Sequence, residues 1–359
     1  MSFIRRFSIC VALLLCCTFF VSAIPGVESK VDFPGTFVYY RDYTYEDETY
    51  IGFLQYDAGT YALRYFSPDA KKGAKTIELY ITCDTTKDTV EMTGEKIVGE
   101  ITQIDVETLN YLHDLFYELA KRRKSLSSKF DQTVRSAENY PQFGGEVLIN
   151  YEPYIPLFSV RSILSNDSKD KKPLFKLAYI GILNEGSEFT NFSGLTVPAE
   201  PKQQSFALKK FAKSKKVTLE NYSFTLDEQW QKDESQSEVQ AWCLNGSGDE
   251  QAAMILPYFL SFPSEEKNVI EQLKLVSLLS QSDSCIDFDS LSISENDKRI
   301  QISTKINQTD KVIRSITTFY KMTGNDYFAI AFSADEQLFS KNERYFKKII
   351  DSAAQVKAR

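Results

Sequence analysis

The sequence predicts a two-domain protein of the α+β class, and three features of the sequence support this prediction. From about residue 36 to 183, short apolar and aromatic runs alternate with turn residues, which is typical of strands. Beyond about residue 217, strand patterns and helical patterns follow one another. Between these parts, Pro198 and Pro201 precede a lysine-rich segment, a composition typical of a domain boundary. We predict a β-rich N-terminal domain with one packed helix (24–200), a linker (201–216) and an α+β domain (217–359).

The chain begins with a segment that has the features of a secretory signal peptide (1–23). Two arginines precede an apolar run at 7–21, and small side chains lead to a cleavage point after Ala23. The alternatives are an uncleaved membrane anchor and lipoprotein processing at Cys16 or Cys17. We therefore expect export to a bacterial periplasm or envelope; the alternative is the eukaryotic secretory pathway or the extracellular space.

In the N-terminal domain, the strongest hairpin pattern lies at residues 51–66, where aromatic and β-branched runs flank a turn that contains Gly59. One helical pattern interrupts the strands. It starts after Asp105, a residue type that caps helices, and apolar side chains recur at helical spacing up to the basic run at Lys121. We expect this helix to pack its apolar stripe on the sheet. Residues 125–145 are predicted to form an irregular connection.

The C-terminal domain has a different order of elements. Pro257 is expected to place its strand at an edge or a bend, because proline cannot donate to a sheet ladder. Ser264 is predicted to open a helix with glutamates in its first turn. A hairpin is predicted over 312–332, and apolar spacing from Leu338 predicts a final helix.

A series of C-terminal features follows an order found in a known family. Phe224-Thr225-Leu226 precedes Trp230, and the helix at Ser264, three further strands and a final helix at 345–352 follow. Over about residues 215–357 this order resembles the PsbP-like domains. The resemblance implies an α/β/α sandwich around an antiparallel sheet, and a binding or assembly role rather than a catalytic one. The sequence departs from the family at 227–229, where a proline and a glycine are usual.

The composition bears on the kinds of site that the chain can hold. The formal net charge is −7, so nucleic acid is not an expected partner. No apolar run after the signal approaches membrane-spanning length, so no membrane span is expected after signal cleavage. The single histidine, His113, is predicted to lie at the border of the helix stripe, with Asp114 and Glu118 pointing away from it. A catalytic triad or a histidine-rich zinc site would have to be built around this residue, so we expect no catalytic residue, metal or cofactor.

Carboxylate chemistry stays open as an alternative, because a glycosidase pair or a calcium site needs only oxygen groups. Solvated turns are the simpler interpretation of the acidic clusters. These clusters are Glu46-Asp47-Glu48, Asp227-Glu228, and Asp287 with Asp289.

Tyrosine is concentrated between Tyr39 and Tyr65. Tyrosines on an exposed sheet face offer rigid apolar rings with hydrogen-bonding tips, which suit a protein or glycan partner. Ordinary strand propensity is the other explanation, with the rings divided between core and solvent. The candidate binding face consists of Tyr39, Tyr43, Tyr45, Tyr50 and Tyr61.

Three cysteines remain after signal cleavage, namely Cys83, Cys243 and Cys285. An odd number cannot pair completely. In an oxidising compartment, Cys243 and Cys285 are the candidates for a disulfide if they share a domain, and free thiols are the alternative.

These observations predict an exported, non-catalytic protein with a binding or assembly-supporting role in the cell envelope, whose partner is an unknown protein or glycan. The alternative is a carboxylate-dependent hydrolase that acts on envelope polymers.

Overall fold

The protein is described by a computed structural model. The described residues are 35–45, 48–55, 60–67, 75–84, 89–98, 106–126, 134–152, 154–166, 172–183, 208–211, 213–233, 240–245, 251–264, 269–279, 284–296, 298–308 and 311–355. The predicted signal peptide (1–23) lies outside these residues, as do residues 201–207 and 212 of the predicted linker.

The chain divides into two compact units. The N-terminal unit combines Val21–Val197 with Ile270–Asp289, and the C-terminal unit contains Pro198–Val269 and Ser290–Arg359. Ile270–Asp289 is therefore distant in sequence from the rest of the unit in which it is packed. We call it the inserted segment.

The N-terminal unit is built on an antiparallel sheet. Six of its strands lie in the order β5–β4–β3–β2–β1–β9. Along its other side, β9 pairs with β8 near its start and with β15 of the inserted segment near its end. Strands β7 and β6 continue from β8. The bounds are β1 Thr36–Asp42, β2 Thr49–Gln55, β3 Thr60–Ser67, β4 Lys75–Asp84, β5 Thr89–Val98, β6 Val134–Tyr140, β7 Gly145–Tyr151, β8 Val160–Ser165, β9 Pro173–Ile182 and β15 Ser284–Asn296. The residues of β15 from Ser290 onward belong to the C-terminal unit.

Helix α1 (Val106–Leu126) covers part of this sheet, as the apolar stripe predicts. The ring of Phe116 lies 5.9 Å from that of Phe53 on β2 and 5.1 Å from that of Tyr61 on β3. Burying large aromatic side chains removes apolar surface from water and stabilises the contact. The helix residues with fully buried side chains are Leu112, Leu115, Phe116 and Leu119.

The C-terminal unit contains a larger and a smaller antiparallel sheet. The larger has the strand order β12–β13–β14–β18–β17–β16, and the smaller has the order β10–β11–β19. Tyr222 of the small sheet stacks on Phe328 of the large one, with ring centroids 4.3 Å apart. The bounds are β10 Ser214–Leu219, β11 Tyr222–Asp227, β12 Trp230–Asp233, β13 Ala241–Asn245, β14 Gln251–Ser261, β16 Arg299–Asn307, β17 Val312–Lys321, β18 Asp326–Asp335 and β19 Ala354–Gln355.

Three further α-helices follow α1 in the described part of the chain, and Pro141–Phe143 forms a short 3-10 helix. Helix α2 (Val269–Leu279) lies mostly in the inserted segment, and α3 (Glu336–Lys341) and α4 (Glu343–Ile350) close the C-terminal unit. Asp335 caps α3, because its carboxylate accepts hydrogen bonds from the backbone N–H groups of Gln337 and Leu338 at 2.9 and 3.0 Å. Helix α4 turns Phe346, Ile349 and Ile350 into the main core of the unit.

The predicted α+β class with antiparallel sheets is confirmed. Both predicted hairpins form, as β2 with β3 and as β17 with β18. Pro257 lies on β14 beyond the last residue that pairs with β13, so the strand has an open side at the proline. The irregular connection predicted over 125–145 is wrong at Val134–Tyr140, which forms β6. Residues 135–139 of this outer strand are exposed or half-buried, so its sequence lacks strong apolar alternation.

Candidate functional site

The five tyrosines predicted to share a binding face do not do so. Tyr39, Tyr50 and Tyr61 are buried, whereas Tyr43 and Tyr45 are each 37% exposed. Strand β1 is covered on both faces, so its tyrosine rings enter the core on either side. The candidate surface is therefore smaller than the one predicted, and it lies where the chain leaves β1.

Tyr43 and Tyr45 are held by polar and aromatic neighbours. We call these two residues, together with Arg41, Asp42, Thr44, Tyr65 and Tyr111, the tyrosine surface. The guanidinium of Arg41 lies 4.8 Å from the centre of the Tyr43 ring, which is a cation–π distance. The Tyr45 ring meets the rings of Tyr65 and Tyr111 edge to face, at 5.9 and 6.2 Å.

Asp42 fixes the backbone beneath the exposed rings. Its buried carboxylate accepts hydrogen bonds from the backbone N–H and the hydroxyl of Thr44, at 2.9 and 2.6 Å, and from the Tyr111 hydroxyl at 2.6 Å. The N–H of Tyr43 also donates to the carbonyl of Leu174 at 2.9 Å. Because the backbone is held at Tyr43 and Thr44 and both rings contact neighbouring side chains, the rings lose less conformational freedom when a partner binds.

Arg41 continues this surface toward β2. Its guanidinium lies 3.3 Å from the carboxylate of Glu48, which also accepts a hydrogen bond from the Tyr50 hydroxyl. The tyrosine surface therefore combines two exposed rings with a half-exposed ion pair. Such a mixture of apolar and polar groups is typical of protein-binding surfaces.

Burial raises the pKa of Asp42, and the hydrogen bonds from Thr44 and Tyr111 offset part of this rise. Folding therefore favours the protonated carboxyl, so stability should fall as pH rises from the unfolded pKa through the folded one, by about 1.4 kcal/mol per unit of pKa difference. Asp42→Asn removes this titration. We expect the free energy of unfolding of the wild type, relative to Asp42→Asn, to be lower at about pH 7 than at about pH 4. Urea unfolding of both proteins at both pH values tests this; a relative gain for the wild type at the higher pH would contradict it.

A second polar cluster, which the sequence did not reveal, surrounds Glu152. This buried carboxylate accepts hydrogen bonds from the Tyr154 hydroxyl and, at 2.5 Å, from the half-exposed Arg161 guanidinium. From the inserted segment, the Lys274 ammonium lies 5.6 Å from the centre of the Tyr154 ring and 3.0 Å from a carboxylate oxygen of Glu271. The cluster therefore links the β7–β8 connection to α2.

The backbone next to this cluster is strained. Leu157 and Ser159 are buried and have backbone φ values of 64° and 56°, which residues other than glycine rarely adopt. Phe158 N–H donates to the Pro156 carbonyl at 2.8 Å, which closes a three-residue turn around Leu157. The bond from Glu152 N–H to the Ser159 carbonyl, at 2.8 Å, closes the base of the loop. The fixed loop presents Glu152 and Tyr154 to Arg161 and Lys274.

The acidic residues considered as catalytic candidates from the sequence form hydrogen bonds or ion pairs within the protein. Asp227 is buried and accepts hydrogen bonds from the backbone and side-chain N–H groups of Gln229, at 3.0 and 2.9 Å. Asp289 pairs with Lys176 at 2.5 Å, and Asp287 accepts the Asp289 backbone N–H at 3.0 Å. These contacts fix turns and strands. Glu46 and Asp47 lie outside the described residues.

His113 lies half-buried on α1, as its position at the border of the stripe predicts. Its Nδ1 is 3.2 Å from a carboxylate oxygen of Asp114, so the prediction that Asp114 points away from it is wrong. The two residues are adjacent in sequence, and their side chains are long enough to meet across the helix surface. The contact is partly exposed to solvent.

Cys243 and Cys285, the candidates for a disulfide, are not bonded to each other. Both are free, buried thiols. Cys243 packs with Met254 and Leu256 in the C-terminal unit, whereas Cys285 packs with Phe37 and Tyr39 in the N-terminal unit. Burial raises the pKa of the Cys243 thiol to about 12, with a smaller contribution from Asp233, and raises that of Cys285 as well. Neither sulfur is therefore a reactive thiolate near neutral pH.

Within the described residues, no group of three or more histidine, cysteine, aspartate or glutamate side chains is arranged to hold a metal ion. In the same part of the chain, no helix is long and apolar enough to cross a membrane.

Two family profiles match successive parts of the chain. Residues 35–192 match a domain of unknown function (DUF7954), and residues 214–354 match another domain of unknown function (DUF7955). No curated protein matches the chain.

Several solved structures share a weak similarity with the chain. They include a PsbP protein from the cyanobacterium Synechocystis sp. PCC 6803, at 12% identity and a TM-score of 0.30 over 42% of this chain and 97% of that one. The Saccharomyces cerevisiae Ran-binding protein Mog1p matches at 8% identity and a TM-score of 0.28, over 40% and 96% of the two chains. The MucA/MucB complex of Pseudomonas aeruginosa matches at 10% identity and a TM-score of 0.22, over 92% and 96%. A PsbP protein is thus among the weakly similar folds.

Proposed function

We propose that this is an exported, non-catalytic protein that binds a protein partner through the tyrosine surface. One observation carries the proposal. Three large hydrophobic side chains are exposed in the described part of the chain, and two of them, Tyr43 and Tyr45, lie two residues apart. Exposed aromatic rings that are already fixed in place are typical of the central residues of protein interfaces.

Polar contacts around these rings support binding rather than chemistry. Asp42 and Arg41 position the rings and already have hydrogen-bond or ion-pair partners within the protein. The contacts of Asp227, Asp287 and Asp289 fix turns and strands, which supports binding over the carboxylate-dependent hydrolase. The signal peptide predicted at 1–23 is the basis for proposing a periplasm or envelope location.

We further propose that residues 215–357 form the part of the chain that resembles PsbP-like domains. The sequence motifs from Phe224 to Trp230 lie on β11 and β12, and the motif at 345–352 forms α4 and its C-terminal end. Binding or assembly is the role that this resemblance implies, which agrees with the role proposed for the tyrosine surface.

A photo-crosslinking amino acid placed at Tyr43 tests the proposed surface in the cells that make the protein. Benzoylphenylalanine retains an aromatic ring at that position, so the local packing changes little. We expect a crosslinked adduct of one defined mass, formed with a protein partner. Adding Tyr45→Ser should reduce its yield at least about tenfold, because loss of a central interface side chain costs about 2 kcal/mol.

Phe259 of the C-terminal unit provides the matched control, because it has the same exposed fraction of 37%. The crosslinker at position 259 should not give the adduct. The proposal is contradicted if the adduct forms equally from both positions, or if Tyr45→Ser leaves its yield unchanged while the protein stays folded.

A further inference from the structure

Strand β10 forms an open edge of the small sheet in the C-terminal unit. It pairs with β11 along its whole length, from Ser214 to Leu219, and no described strand pairs with its other side. An open edge presents a row of backbone N–H and C=O groups, onto which a further extended chain can be added.

A set of lysines lies along this edge and along the segment that leads to it. None of them forms an ion pair with another described residue, and all are exposed. The chain as a whole has a net charge of −7, so this concentration of free positive charge is local. We call β10 and these residues the lysine edge; its lysines are Lys209, Lys210, Lys213, Lys215 and Lys216.

The segment that carries the first lysines is fixed in place. The side-chain amide of Gln229 accepts from the backbone N–H of Lys209 and donates to its carbonyl, at 2.9 and 3.1 Å. The ring of Phe211 lies 3.9 Å from the ammonium of Lys348 and 5.4 Å from the ring of Tyr345, both on α4. A binding partner therefore meets an ordered row of charges.

Other strands that lack a second described partner, such as β6 and β12, carry charges of both signs. Strand β6 contains Arg135 and Glu138, and β12 contains Lys232 and Asp233. A second copy of β10 would double the local positive charge along this edge, which opposes strand pairing. The single sign of charge therefore selects against self-association and in favour of an acidic strand.

We propose that the lysine edge binds an acidic, extended segment of a protein, which adds to β10 as a further antiparallel strand. The edge is six residues long, so it fits a segment of about 20 Å at about 3.3 Å per residue. Backbone hydrogen bonds would give affinity for any strand, and the lysines would select carboxylates. This site is independent of the tyrosine surface.

A fluorescent eight-residue peptide in which glutamate and valine alternate is a suitable probe for the full-length protein. We expect fluorescence anisotropy to show binding that weakens at least about tenfold between about 20 and 200 mM NaCl. Replacing Lys213, Lys215 and Lys216 with glutamine should also weaken it at least about tenfold. The same substitution at Lys232, Lys298 and Lys321, which are exposed on the same unit, should leave binding unchanged.

Two probes separate strand addition from simple charge attraction. Peptides that are N-methylated at alternate residues, in either phase, keep their charge but lose backbone donors, and at least one phase should bind about tenfold more weakly. Equal binding of all these peptides would overturn the proposal. It would also be overturned if the protein bound phosphatidylserine vesicles and the acidic peptide failed to displace them. Tyr43→Ser/Tyr45→Ser should bind the peptide normally, so failure here and failure of the tyrosine surface are distinguishable.

Discussion

Replacing Gly52 with alanine should lower the free energy of unfolding by about 3 kcal/mol, because no space exists for the added methyl group. Gly52 of β2 lies opposite Tyr39 of β1, and the Tyr39 ring covers it. A Cβ atom at position 52 would lie 2.4 Å from Cζ of that ring. Tyr39 is itself buried against Phe37, so the ring cannot move aside without disturbing the core. Urea unfolding followed by tyrosine near-ultraviolet circular dichroism measures the loss.

A double-mutant cycle assigns this loss to the contact between the two residues. In a Tyr39→Leu background the methyl group has room, so Gly52→Ala should cost less than about 1 kcal/mol, giving a coupling energy of about 2 kcal/mol. Glycine to alanine in an unstrained position usually stabilises a protein by about 0.4–1 kcal/mol. Stabilisation of this kind in the Tyr39 background would show that the ring does not cover Gly52.

Replacing Phe346 with alanine should destabilise the C-terminal unit by about 4 kcal/mol, within the range for large aromatic residues in cores. Phe346 on α4 is fully buried. Its ring stacks on that of Phe339 at 5.7 Å and lies 5.2 Å from that of Phe332 on β18. Truncation therefore leaves a cavity between the helices and the sheet.

The two tryptophans of the chain, Trp230 and Trp242, lie in the same core as Phe346, so their fluorescence reports unfolding of this unit. Lys347→Ala on the same helix is the matched control. Lys347 is exposed and, among the described residues, pairs with Glu343 alone, at 2.7 Å, so its loss should cost at most about 0.5 kcal/mol. Equal midpoints for the two variants would contradict the packing described for α4.

The elements that the sequence predicts well are those whose signals are local. The hairpin of β2 and β3 and that of β17 and β18 each combine alternating or β-branched runs with a short polar turn, so adjacent residues carry the information. The stripe of α1 is local in the same sense. The edge position of Pro257 follows from proline chemistry alone.

Contacts between distant residues explain what the sequence could not predict. The inserted segment belongs to the N-terminal unit through the pairing of β15 with β9, which no local pattern encodes. Tyr40 and Tyr43 look alike in sequence, but the Tyr40 ring stacks on Phe175 and its hydroxyl donates to the Val160 carbonyl. Tyr43 lies just after β1 and is 37% exposed. Sequence composition identified the tyrosine-rich region, and only packing separates its exposed rings from its buried ones.

The Glu152 cluster was missed for a related reason. Glu152 and Arg161 are nine residues apart, and a strained turn at Leu157 brings them together. This turn contains no glycine, so the sequence gives no signal for its positive φ values. Lys274 and Glu271 reach the cluster from the inserted segment. The grouping of a buried carboxylate with a tyrosine and an arginine could therefore be identified only from the structure.

Competition for the crosslink at position 43 tests the central claim most directly. Purified wild-type protein, added in excess before irradiation of an extract, should abolish the adduct, and Phe259→Ser should do so equally well. Tyr43→Ser/Tyr45→Ser, if folded, should need at least about tenfold more protein for the same effect. Equal competition by all three proteins would show that partner binding does not depend on the tyrosine surface.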